Sequence, residues 1–145
     1  MASILKVDEL QGIVSAGDIT VTSEGGSATQ SLQQGLAKSW GHFNGTTNTV
    51  LDSLNISSAA DNGTADYTYN INNNHNNANY MLSGSGQSNH SQPYFTHLHF
   101  GPAGNTSLLT GSVRCIFPYN SGTGLGDVSA NDAFYALMAT HGDLA

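Results

Sequence analysis

Basic side chains are nearly missing from this chain: Lys and Arg number 3 against 10 Asp and Glu, for a formal net charge of −7 over 145 residues. Three cations cannot neutralise a phosphate tract, which excludes nucleic acid as a partner, and attraction to anionic membrane surfaces goes with it. Charge of either sign is scarce, at 9% of residues where soluble domains carry about a quarter. A single cysteine, Cys115, leaves no internal disulfide to form and reads as a small buried hydrophobe. No apolar run approaches the roughly 18 residues of a membrane span. No basic, apolar and small-residue succession marks a classical signal peptide, so release by lysis is expected rather than secretion.

Catalytic patterns are missing as well. There is no G-x-S-x-G elbow, no P-loop, no G-x-G-x-x-G between strand and helix, and no HExxH. Asp52, Asp61 and Asp66 are scattered, and nothing in the spacing pairs them for glycoside hydrolysis. The expectation is a protein that is not an enzyme and needs no cofactor. Asn-x-Ser/Thr matches at Asn44, Asn55, Asn62, Asn89 and Asn105 follow from a chain rich in Asn and Thr.

What fills the chain is Asn, Ser, Thr and 17 Gly, the composition of short strands joined by tight turns. Ile4 to Leu10 reads as a short strand or extended arm with one apolar face, and Ile19 and Val21 alternate with threonines in a second strand that ends at Gly25-Gly26. Over 27–39, Ala28, Leu32 and Leu36 recur at spacing four. This predicts a short helix capped by Ser27 with Gln30 three residues on. Leu54 and Ile56 then alternate with polar residues, Asp61-Asn62-Gly63-Thr64 signals a turn, and Tyr67, Tyr69 and Ile71 alternate in turn: a hairpin. The Asn-rich NINNNHNNANY, 70–80, and the stretch SGSGQSNHSQP, 83–93, read as loops. Val113, Cys115 and Phe117 alternate in a strand, and 133–139, AFYALMA, is apolar on both faces and reads as a central strand rather than a helix. The sum is a mostly β protein, an antiparallel β-sandwich of short strands and hairpins with one short N-terminal helix.

In YFTHLHF, 94–100, the expected strand puts His97 and His99 on one face with Phe95. Two imidazoles are too few for a closed metal site in one chain. They read either as the polar side of a strand or, where three copies meet on an axis, as six ligands for a transition metal.

Residues 36–71 resemble a motif of marine phage tail-fibre and virion-associated proteins, A-K-A-W-x-x-F-x-G-T, then N-x-S-S, then D-N-G-T-G-D-Y-T. Ala37, Lys38, Trp40, Phe43, Gly45 and Thr46 match the first block, Asn55, Ser57 and Ser58 the second, and Asp61, Asn62, Gly63, Thr64, Asp66, Tyr67 and Thr68 the third. Ser39 stands for Ala, Ala65 for Gly, and Ile71 near the usual Phe. The opening ASILKVDELQ is similar to the L-K-V-D-x-I-Q start of such fibres. The resemblance implies a homotrimeric virion structural protein, assembled in the host cytoplasm and released by lysis. In it 1–26 would be a docking arm with strands, 27–39 the helix and 40–145 the β domain. Leu5, Lys6, Val7, Asp8, Leu10 and Gln11 would dock the arm on other virion proteins. The β domain would face the host, its loops and Tyr67, Tyr69, Tyr80, Tyr94 or Tyr119 touching surface glycans, unless those rings belong to the core. Trp40 and Phe43, three apart, would anchor helix to sheet. A capsid decoration protein without a receptor would need the same fold and trimer; a secreted glycan-binding module would bind sugars without entering particles.

Overall fold

A computed structural model describes residues 4–13, 19–88, 95–96, 99–100, 108–120, 128–129 and 131–145, with backbone alone at 88, 95–96, 99–100, 119–120 and 128–129. The chain forms two units, Met1–Leu36 and Ala37–Ala145.

In the first unit, β1 (Thr20–Thr22) and β2 (Thr29–Ser31) form a small antiparallel hairpin, Thr20 opposite Ser31, with Gly26 supplying the left-handed turn residue at φ 73°. The helix is a single turn, α1 (Leu32–Gly35), N-capped by Ser31, whose hydroxyl accepts the Gln34 N–H at 3.4 Å. This corrects the helix expected over 27–39. Three of its positions are consumed by β2, Ser39 belongs to the next strand, and Gly35 closes a stripe too narrow to propagate.

The second unit is an antiparallel sandwich of two sheets. Its strands are β3 (Ser39–Asn44), β4 (Thr49–Leu54), β5 (Ile56–Gly63), β6 (Asp66–Ile71), β7 (Met81–Ser88), β8 (Phe95–Thr96), β9 (His99–Phe100), β10 (Leu108–Leu109), β11 (Ser112–Ile116), β12 (Tyr119–Asn120), β13 (Val128–Ser129) and β14 (Ala133–His141). One sheet runs β13-β12-β8-β7-β14-β3-β4. The other runs β10-β11-β6-β5, with β9 also on β11.

The core lies between the sheets and is built by period-two alternation. Tyr67, Tyr69 and Ile71 of β6 and Val113 and Cys115 of β11 point inward, while Asp66, Thr68, Asn70 and Arg114 alternate outward. From the facing sheet come Phe43, Ala133, Ala136 and Met138. The Phe43 ring meets Tyr67 edge-on at 5.1 Å and Tyr69 at 6.3 Å. Gly41 makes room for Tyr69, because a β-carbon there would lie 2.9 Å from the ring. The Tyr69 hydroxyl donates to the Ala136 carbonyl at 3.0 Å, so the buried phenol is satisfied across the sandwich.

The expected hairpin is present as β5 and β6, Ile56 opposite Ile71, but it turns at Thr64-Ala65 rather than Asn62-Gly63, with Gly63 and Ala65 at positive φ. Leu54 and Ile56 do not share a strand. Asn55, at φ 58°, breaks the chain between β4 and β5 and carries it from one sheet to the other. Its side-chain NH2 donates to the Lys38 and Asn73 carbonyls at 3.0 Å each, and its oxygen accepts the Asn73 N–H at 2.7 Å. The stretch expected as a loop from 83 belongs instead, through Ser88, to β7, paired with β14 on one side and β8 on the other. The apolar run at 133–139 is the central strand β14, as expected. Within YFTHLHF, Phe95–Thr96 joins the seven-stranded sheet and His99–Phe100 the other, while 94 and 97–98 lie outside the described residues.

Candidate interaction surface

No strand or helix forms within residues 4–13. Ile4, Leu5, Val7, Leu10 and Ile13 are exposed by 51% to 104% of their surface, a concentration of greasy side chains that water disfavours by about 25 cal/mol per Å2. Lys6, Asp8 and Gln11 are exposed beside them. The six residues expected to dock the chain therefore stand together on an accessible segment, and the strand expected there is not paired.

A second accessible apolar feature is β4. It ends the seven-stranded sheet, so no described strand lies on its outer side. Val50, Leu51 and Leu54 are exposed on it, and Asp52 is its one charged residue. The Asp52 carboxylate accepts only the neighbouring Ser53 N–H, at 2.8 Å, among the described residues.

The outer face of the same sheet carries Trp40 and His42 of β3, with Leu54 and Asp52 opposite them on β4 and Ala139 and Leu137 on β14. His42 meets Tyr135 edge-on at 4.8 Å, and its Nε2 is buried without a hydrogen bond. Trp40 and Phe43 are therefore not a joint anchor: an odd separation along a strand sends them to opposite faces, Phe43 into the core and Trp40 to the half-buried exterior.

A third cluster was invisible in the sequence. His75, from the Asn-rich stretch, is buried flat against Tyr80, ring centroids 3.9 Å apart. Its Nδ1 faces the Asp143 carbonyl at 3.3 Å, which can only accept, so Nδ1 carries the proton. Nε2 then accepts the Thr140 hydroxyl at 3.0 Å, and Thr140 in turn accepts from Ser39 at 2.6 Å. The hydroxyl–imidazole chain looks like a nucleophile relay, but Ser39, Thr140 and His75 are all buried and the third group is a carbonyl rather than a carboxylate. Its work is structural. It holds the last residues to the 72–79 stretch, together with the bonds from Asn76 N–H to the Asp143 carbonyl and from Ala145 N–H to the Asn74 carbonyl, both 2.9 Å. Burial pulls the His75 pKa below its usual value, and Lys38 nearby adds to the effect while the Asp143 carbonyl opposes it. Burial also lowers the Lys38 pKa, against the pull of Asp143.

The motif residues are mostly architectural. Lys38 and Gly45 are buried and Ala37 is half-buried. Asp61 accepts the Gly63 N–H at 2.9 Å, and Asn62 donates to Thr68 at 2.8 Å, so the D-N-G block braces the hairpin end. Asp66 is held by Arg114, with Nε at 2.8 Å, which keeps its carboxyl below the usual range. Asp52, Asp61 and Asp66 thus have separate local roles. Tyr67, Tyr69 and Tyr80 are core residues. Tyr94 and His97 lie outside the described residues, as do the side chains of His99 and Tyr119; the His99 backbone pairs with Ile116. No group of three or more His, Cys, Asp or Glu suited to a metal occurs among the described residues. The chain matches no family model, no curated protein and no solved structure.

Proposed function

We propose that this chain is a structural protein of a phage particle, tail-fibre-like, that docks through its N-terminal segment and presents its β domain for host attachment. The observation that carries the reading is the segment Ile4–Ile13, where five large apolar residues stand exposed in a chain otherwise short of them. Side chains in that state gain by burial against a protein partner. The likeness of 36–71 and of ASILKVDELQ to marine phage virion proteins points the same way. A lean core favours a shared symmetric interface, and a homotrimer is the form the likeness suggests. Trp40 and Tyr135, half-buried on the outer face, are the rings in position to stack on a host sugar, in place of the core tyrosines.

A second reading is a capsid decoration protein without receptor, which would use the same β domain and the same docking segment. Gold labelling and quantitative mass spectrometry of purified particles test both. Label on the tail supports the first reading, label over the capsid supports the second, and absence from particles contradicts both.

A further inference from the structure

We propose that the outer edge of β4 accepts the Ile4–Ile13 segment of a second copy of this chain as an added strand, so that each copy's arm completes its neighbour's seven-stranded sheet. The inference rests on reading 4–13 as a docking arm and names what the arm docks on.

The edge asks for a strand. β4 is the last strand of its sheet, and backbone N–H and C=O groups on such an edge are completed by another extended chain. Proteins usually blunt edges with Lys, Pro or bulky charge. β4 has no Lys, Arg or Pro and exposes Val50, Leu51 and Leu54. β4 carries one irregularity, a register shift against β3 that leaves Leu51 without a partner there, whereas the β5 edge is polar over Asp61-Asn62 and bulged near both ends. Of the two edges, β4 is the more apolar and the less interrupted among the described residues.

The arm is chemically suited to it. It is longer than the six residues of β4, contains no Pro, and exposes apolar side chains on both sides of an extended chain. Charge identifies the match further. Of the three cations in the chain, Lys38 is buried and Arg114 is bonded to Asp66, which leaves Lys6 exposed without an ion pair among the described residues. Asp52 is the one charge on β4. Setting Lys6 across from Asp52 puts Leu5 and Val7 across from Leu51 and Ser53, and Ile4 across from Val50 or Leu54 according to strand direction. An arm given to one neighbour while the edge receives another's is a head-to-tail contact, which closes into a ring when the rotation permits.

Two full-length variants of different tag length test this, one carrying Lys6→Cys and the other Asp52→Cys. Oxidation of the mixture is expected to give a disulfide joining the two chains, absent from either variant alone and from wild type. Separately, Leu51→Lys, at an exposed position that leaves the core intact, is expected to abolish self-association. Lys6→Glu and Asp52→Lys should each weaken it by about 2- to 5-fold, as for an exposed ion pair, and their combination should restore it. Self-association unchanged by Leu51→Lys, or no disulfide between the two chains in the oxidised mixture, overturns the proposal. Those results would leave the particle reading standing. Arm-to-edge pairing in a protein absent from purified particles would do the reverse.

Discussion

The imidazole of His75 lies parallel to the Tyr80 ring within 16°, sealed at the end of the sandwich where Thr140 and the Asp143 carbonyl take up its two nitrogens. Its folded pKa is lowered from 6.5 by burial first and by the charge of Lys38, with the Asp143 carbonyl pulling the other way. The unfolded chain therefore binds this proton more readily than the folded one. Stability from this site is complete above about pH 6.5 and is lost as pH falls from there through the folded pKa. Thermal unfolding between pH 7.5 and 5 should show a declining midpoint in wild type, and a shallower decline in His75→Gln. Equal slopes would contradict the assignment.

Tyr67 and Gly45 are matched in the same way. A β-carbon on Gly45 would collide with the Tyr67 hydroxyl and lie 2.8 Å from its Cε1. That hydroxyl accepts the Ala133 N–H at 2.8 Å, and burial pushes its pKa up to about 12. Gly45→Ala should destabilise by about 1–3 kcal/mol through overpacking, and Tyr67→Phe by about 1–3 kcal/mol through the orphaned N–H. The double variant should cost only slightly less than the sum, because the hydroxyl contact is gone but the ring Cζ would still collide with the new β-carbon. Denaturant titration of the three variants measures the coupling.

Opposite faces of β3 should respond differently to truncation. Phe43→Ala empties a site between Tyr67 and Tyr69 and should cost about 3–5 kcal/mol. Trp40→Ala removes a half-buried ring from the exterior and should cost about 1–2 kcal/mol. Comparable losses would mean that Trp40 is a core anchor after all.

Cys115 is fully buried, and burial first, with Asp66 second, pushes its thiol up to about 12. Maleimide should leave the native protein unlabelled at pH 7.5 and label it fully in urea. Rapid labelling of the folded chain would contradict the placement of β11.

The alternation of Tyr67, Tyr69 and Ile71 made β6 and its hairpin legible, because each inward ring is followed by a polar residue facing water. β14 was legible from an apolar run with no polar side, as a strand between two others should be. β7 was not. Gly84, Ser85 and Gly86 carry no pattern, and their extended state is imposed by β14 and β8 pairing on either side. The helix was overread because spacing alone ignores what a stripe packs on. His75 offered no local signal, since its partners lie 65 to 68 positions away. The apolar side chains of 4–13 could be read from the sequence, whereas the position of β4 at the end of its sheet depends on strand order, which no short stretch encodes.

Sedimentation velocity of purified full-length protein at micromolar concentration bears most directly on whether copies complete one another. The expected result is a species at a multiple of the 15.1 kDa chain mass, three for a homotrimer, that collapses to the single chain in Leu51→Lys. A lone 15.1 kDa species in wild type at every concentration tested would contradict it.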